Sequence, residues 1–289
     1  MVYIGSIFRP PAEHNSILLQ VTIGCSHNKC RFCGLYKSKQ FKIKDQLLIN
    51  QDLDYASQYF KDRKRVFLCD GDAMIISYEK LLSILKKINE KLPWITRIGL
   101  YANAKSLKKK SVEQLRELKK HKLGIVYMGL ESGDDKVLKN MNKGVDVATQ
   151  IEQGEKVKEA GIKLSCTVLL GLGGKSRSKE HAIKTGEALS LISPNYIGAL
   201  SLIITPEVPL YKQIINNEFY ILSPIEMLKE LKIMIENTNL SAGIFSANHA
   251  SNYLPLQVRL PSEKADVLKL LERAINGEIS LRSEYMRAI

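Results

Sequence analysis

No stretch of this sequence approaches the roughly 18 consecutive apolar residues of a membrane-spanning helix. The opening MVYIGSIFRPPAEHNS lacks the basic flank and apolar centre of a secretory leader, so a cytoplasmic protein is expected. Low-complexity tracts and Gly/Ser-rich linkers are missing too, which favours one compact body over tethered modules. Cysteine is sparse, with five in 289 residues. An odd number in a reducing compartment argues against a disulfide framework, and any cysteine cluster then reads as metal ligands or reactive thiols.

With 45% apolar residues the chain has enough to bury a large core at the upper size limit of one domain. Its 43 Lys and Arg outnumber 30 Asp and Glu, a net charge of +13, which suits nucleic-acid phosphates. Yet the basic clusters KDRKR (61–65), KSLKKKS (105–111) and ELKKHKLG (117–124) fall in or beside helical segments, and Lys predominates. A solvated helical face is the plainer reading.

Short β-type runs alternate with amphipathic segments. Strands are expected near residues 17–22, 65–69, 97–102, 124–129, 163–170 and 196–200, with helices at about 45–61, 77–91, 111–120, 145–160 and 179–191. Six βα units in series predict an α/β fold whose parallel strands form a full or partial barrel, with the chemistry on the loops that follow the strands. Residues 1–200 are expected to form the core and 201–289 an extension that closes it.

The loop after the first strand, QVTIGCSHNKCRFCGLYK (20–37), carries Cys25, Cys30 and Cys33 in a C-x4-C-x2-C pattern. Such a loop can wrap a compact inorganic cluster, and no second CxxC completes a four-cysteine zinc site. His27 offers an alternative fourth ligand for zinc, and a redox thiol pair is a third reading. Cys69 and Cys166 read as core thiols.

This loop resembles that of the radical S-adenosylmethionine superfamily, whose usual signature is C-x3-C-x-aromatic-C. Phe32 supplies the aromatic, and the first spacing is one residue longer. The resemblance implies a partial (β/α)6 TIM-like barrel and a 4Fe–4S cluster on Cys25, Cys30 and Cys33, with one iron open to S-adenosylmethionine. FLCDGDAMIIS (67–77) is similar to the turn that holds the cofactor's methionyl amine, here Asp70, Gly71 and Asp72; a plain Gly/Asp turn closing a strand is the other reading. Asn103 and Ser106 end the next strand in GLYANAKSL. YMGLESGDDKVLKNMNKG (127–144) resembles the branch of tRNA methylthiotransferases and oxygen-independent coproporphyrinogen oxidases. By that likeness Glu131 and Ser132 face the ribose and Lys143 the cofactor carboxylate, against helix capping for Ser132 and a surface role for Lys143. In CTVLLGLGG (166–174), Leu170 and Gly171 would admit the adenine.

Membership implies that the reduced cluster cleaves S-adenosylmethionine to a 5′-deoxyadenosyl radical, which a closed barrel shields from water. It also implies an electron donor such as flavodoxin or ferredoxin. Beyond residue 200, Pro206 and Pro209 stiffen a lid, and Asn248, His249, Ser251, Asn252 and Tyr253 offer hydrogen bonds to a polar heterocycle or sugar, or else cap turns. Length, cysteine loop and this ending resemble the queuosine lyases of anaerobic bacteria, which release queuine from its nucleoside. Asp70, Asp72 and Glu207 are the carboxylates available to a deazaguanine. A tRNA-modifying radical enzyme and a zinc-stabilised interaction module are the alternatives.

Overall fold

The computed structural model describes residues 1–288. Its strands are β1 (Ile17–Gln20), β2 (Thr22–Ile23), β3 (Lys42–Ile43), β4 (Arg65–Cys69), β5 (Arg97–Ala102), β6 (Leu123–Glu131), β7 (Lys163–Leu170), β8 (Tyr196–Ser201), β9 (Gly243–Ser246) and β10 (Gln257–Leu260). The helices are α1 (Gln46–Tyr59), α2 (Tyr78–Lys91), α3 (Ala104–Lys108), α4 (Val112–Lys120), α5 (Asp135–Asn140), α6 (Val147–Glu159), α7 (Gly174–Ile192), α8 (Pro209–Ile215), α9 (Pro224–Glu236) and α10 (Lys264–Ile275). Eight strands form one sheet in the order β1-β4-β5-β6-β7-β8-β9-β10. Pairing is parallel from β1 to β6 and from β7 to β9, and antiparallel between β9 and β10. This is the expected α/β, mostly parallel architecture of a partial TIM-like barrel.

Local chemistry explains the elements. β4 reads Arg-Val-Phe-Leu-Cys and buries its last four residues, as strands covered on both faces do. Ser77 caps α2 by accepting from the Lys80 amide, and Leu81, Ile84, Leu85 and Ile88 bury one face at three- and four-residue spacing. Each such side chain contributes about 1.5–3 kcal/mol. Ser111 and Ser223 open α4 and α9 with capping boxes to Gln114 and Glu226, and Pro224 stands at the first turn of α9.

The structure departs from expectation in three places. The first strand does not run unbroken to Thr22: the Val21 amide follows β4 for one more bond, to the Cys69 carbonyl at 2.7 Å, and β2 then turns away to pair antiparallel with β3. Helix α7 begins at Gly174, five residues before the expected start. Residues 201–289 contain β9 and β10, which their interleaved polar residues concealed.

The chain divides into two compact units: Met1–Asn28, Leu35–Met128 and Gln153–Leu164 make one, and Lys29–Gly34, Gly129–Glu152 and the residues from Ser165 onward make the other. In the first unit β1 is an edge of the sheet, and the N-terminal segment runs beside it. Tyr3 Oη donates to the Leu18 carbonyl at 3.0 Å, and Ile4 N to Gln20 Oε1 at 2.8 Å. Val2 N donates to Asp52 Oδ1 at 2.6 Å, and Asp52 in turn holds the buried Lys44. No helix among the described residues is long and apolar enough to cross a membrane.

Candidate active site

The cysteine loop is held in two parts, one per unit. In the first, the Gly71 amide donates to the Gly24 carbonyl at 3.3 Å, and a Cβ on Gly71 would lie 2.6 Å from the Tyr36 ring and 3.1 Å from Cys25 Cβ. Only a glycine lets the β4 turn pass this close to the first cysteine. In the second unit, Arg31 N donates to the Met141 carbonyl at 2.9 Å and Leu210 N to the Arg31 carbonyl at 3.0 Å. A Cβ on Gly34 would come within 2.9 Å of both Thr205 Oγ1 and Glu207 Oε1, so the segment of Thr205 and Glu207 packs against the glycine that follows Cys33. Cys25, Cys30 and Cys33 are half-buried, and Phe32 between them is half-buried as well. Cys69 and Cys166 are fully buried. Burial, reinforced by the charge of Asp70, pushes the Cys69 thiol well up and keeps it protonated.

Two carboxylates after β4 fix the turn. Asp70 Oδ2 accepts from Gln20 Nε2 at 3.1 Å, Gly24 N at 3.0 Å and Lys39 Nζ at 2.9 Å, while Oδ1 is buried with no hydrogen-bond partner. Asp72 accepts from the Ser26 and Ser106 hydroxyls at 2.5 Å each and from the Asn103 amide at 3.2 Å. Burial raises the Asp72 pKa against the pull of these bonds. Asn103 also caps α3 through its side chain, to Lys105 N at 3.0 Å. The first unit thus brings together Asp70, Gly71, Asp72, Asn103 and Cys25.

In the second unit Glu131, with φ of 63°, pairs with Lys143 at 2.9 Å, and Gly129 leaves room for both, since a Cβ there would strike the Glu131 carboxylate. Left-handed backbone on a non-glycine residue is a strain often kept at functional sites. The Ser132 hydroxyl lies 2.8 Å from His181 Nδ1 and accepts from the Asp134 amide at 3.0 Å. Asp134 caps α5 and pairs with Arg177 at 2.5 Å and Lys184 at 3.4 Å. Burial would raise its pKa, but these cations and the Lys136 amide hold it below the usual carboxylate range. Gly171, with φ of 82° at the end of β7, donates its amide to Glu230 Oε1 at 2.6 Å, and Leu170 accepts from Leu202 N at 2.9 Å.

Sequence reading missed His181 and Glu230, both fully buried. A signal was available: Glu230 interrupts an apolar stripe, three residues after Met227 and four before Met234. Burial lowers the His181 pKa to about 4 and raises that of Glu230 to about 7. Because the folded value for Glu230 lies above the ordinary 4.5, its contribution to stability is full below about pH 4.5 and is lost as pH rises through about 7.

The segment after β9 is stitched to β8. Asn252 Nδ2 donates to the Ala199 and Ala247 carbonyls at 2.8 and 2.9 Å, and its Oδ1 accepts from Ser201 Oγ at 2.8 Å. Ser251 Oγ accepts from Ser201 N at 3.1 Å. Tyr253 donates to Glu284 at 2.6 Å, and Arg287 lies 4.2 Å from its ring centre. Asn248 is exposed; half-buried His249 meets Ser251 Oγ at 2.9 Å. Burial, aided by Arg282, lowers the His249 pKa.

Half-buried cysteines on one loop are the donor set an iron–sulfur cluster takes, and Gly71 keeps the turn after β4 tight against Cys25. The family model described as the radical SAM superfamily matches residues 19–185. A relative from Methanocaldococcus jannaschii, provisionally named a methylthiotransferase, is 25% identical over 160 residues, which cover 52% of this chain and 34% of that protein. Two solved structures share the fold. Coproporphyrinogen III oxidase from Escherichia coli has a TM-score of 0.57 and 14% identity, covering 76% of this chain and 51% of its own. A radical S-adenosylmethionine methyltransferase from Kitasatospora setae, with cobalamin and a 4Fe–4S cluster bound, has a TM-score of 0.58 and 13% identity, covering 93% and 55%. The chain thus spans about a third of the curated relative and about half of these two solved chains. With more than half of its residues matched, the chain belongs to the radical SAM superfamily, whose enzymes use a 4Fe–4S cluster and S-adenosylmethionine.

Proposed function

We propose that this radical SAM enzyme cleaves a small modified nucleoside, with queuosine as substrate and queuine as the released base. Cys25, Cys30 and Cys33 hold the cluster in this reading. Asp70, Gly71, Asp72, Asn103, Glu131, Ser132, Lys143, Leu170 and Gly171 shape the cofactor site. The cluster and its sulfonium ligand supply a one-electron cleavage that starts radical chemistry. Residues of the chain position the cofactor and exclude water from it.

The observation that carries the nucleoside reading is the segment 247–253. Asn252 and Tyr253 have their polar atoms engaged within the chain, which fixes the segment on the end of β8 and presents Asn248 and His249. A few directed hydrogen bonds suit a neutral heterocycle. Asn248→Ala and His249→Ala are expected to lower release of free queuine about tenfold, the worth of one directed hydrogen bond, while leaving uncoupled cleavage of S-adenosylmethionine near the parent rate.

A tRNA-modifying enzyme is the second reading, favoured by the net charge of +13 and by the methylthiotransferase name of the curated relative. Salt separates the two. Phosphate contacts would make activity on tRNA fall by orders of magnitude between about 50 and 200 mM salt, whereas turnover of queuosine should change little. Activity confined to tRNA and steeply dependent on salt would replace the lyase with the second reading.

A further inference from the structure

Glu230 is a carboxylate inside an apolar interface, and its two oxygens face two different elements. Oε1 accepts the Gly171 amide at 2.6 Å, and Oε2 the Ser178 hydroxyl at 2.5 Å. His181, from α7, stands 3.6 Å from Oε1, beyond hydrogen-bond range. Its Nε2 lies 3.1 Å from the Leu169 carbonyl and its Nδ1 2.8 Å from the Ser132 hydroxyl. With Nε2–H donating to that carbonyl, Nδ1 accepts from Ser132, and the ring is neutral. One buried acid and one buried imidazole therefore tie the turn after β7 to the turn after β6.

We infer that Glu230 is a positioning residue for S-adenosylmethionine: protonated, it holds the Gly171 turn and, across the face it shares with His181, the Ser132 turn in the cofactor-binding arrangement, and ionisation of this unpaired buried carboxyl group loosens both. This rests on reading Gly171 and Ser132 as cofactor contacts. A pKa near 7 puts the change within the working range of pH. The titratable group facing Glu230 is His181. Lys175 and Glu226 pair with each other at 3.3 Å, and on the side of α10 Lys232 joins Glu236 and Glu272. Ionised Glu230 thus has two hydrogen bonds and no paired cation, so a neutral side chain of the same shape separates charge from packing.

The test uses the reconstituted holoenzyme and its Glu230→Gln variant between pH 5.5 and 8.5, a range of about 1.5 pH units either side of neutrality. Two quantities are read: equilibrium affinity for S-adenosylmethionine, and amide hydrogen exchange over residues 130–134 and 169–173 without it. In the parent, affinity should fall about tenfold as pH climbs through 7, a modest coupling between sites, with protection of both turns falling in step. Glu230→Gln should be flat in both, at the stronger affinity, and should melt above the parent at alkaline pH because no buried charge forms. Identical pH profiles in the two proteins would overturn the inference and leave Glu230 as packing. Exchange that follows pH while affinity does not would overturn it too, and would locate the failure in the cofactor assignment of Gly171 and Ser132. Since no nucleoside enters either measurement, the identity of the substrate does not affect the result.

Discussion

Anaerobically purified Cys25→Ala, Cys30→Ala and Cys33→Ala proteins are each expected to be colourless, to contain almost no iron after reconstitution, and to form no 5′-deoxyadenosine from S-adenosylmethionine under dithionite. Loss of one thiolate leaves one iron of the cluster without its ligand, and no neighbouring thiol substitutes: Cys69 and Cys166 are buried, and Cys69 is held protonated by its surroundings. Cys69→Ala and Cys166→Ala should load iron like the parent, with a packing loss of about 1–2 kcal/mol in a melt. A full iron complement in any of the first three would remove that cysteine from the ligand set.

Asp72→Ala should have the largest effect on folding of any site substitution that spares the cysteines. One carboxylate satisfies the hydroxyls of Ser26 and Ser106 and the Asn103 amide, so its removal strands three donors around a buried hole. We expect a loss of about 2–4 kcal/mol, read as a lower Tm, together with weaker binding of S-adenosylmethionine at normal iron content. Asp72→Asn keeps an acceptor and removes a charge that burial disfavours, so its loss should be smaller. An Asp72→Ala protein that melts with the parent and binds the cofactor equally well would show that the three loops are held by something else.

The parts of the fold that could be read in the sequence are those whose signal is local. Parallel strands covered on both faces appear as apolar runs such as Val66 to Cys69, and the Asp-Gly-Asp that follows marks their end. Loop chemistry placed after such strands was therefore legible, and the structure brings Asp70, Gly71 and Asp72 beside Cys25. What escaped depends on tertiary distance. Glu230 and Gly171 are 59 residues apart in sequence, and nothing near Glu230 announces the amide it meets. β9 and β10 are four residues each and only partly buried, so the two apolar residues of the first and the Gln-Val-Arg-Leu alternation of the second are too short to stand out from the polar residues around them. Asn252 shows the same limit from the other side: a polar residue in a polar stretch looks available for a ligand, yet its amide closes two backbone carbonyls at strand ends.

The segment beside β1 bears on how this protein behaves at high concentration. An outer strand with unpaired backbone groups is a template for another chain to add to, which proteins avoid by covering or charging the edge. Here the cover is a few hydrogen bonds from Tyr3 and Ile4, anchored through Val2 on Asp52. Trimming by a protease or a bulky fusion at this end would uncover the strand, and precipitation, rather than any change in catalysis, would be the first sign of it.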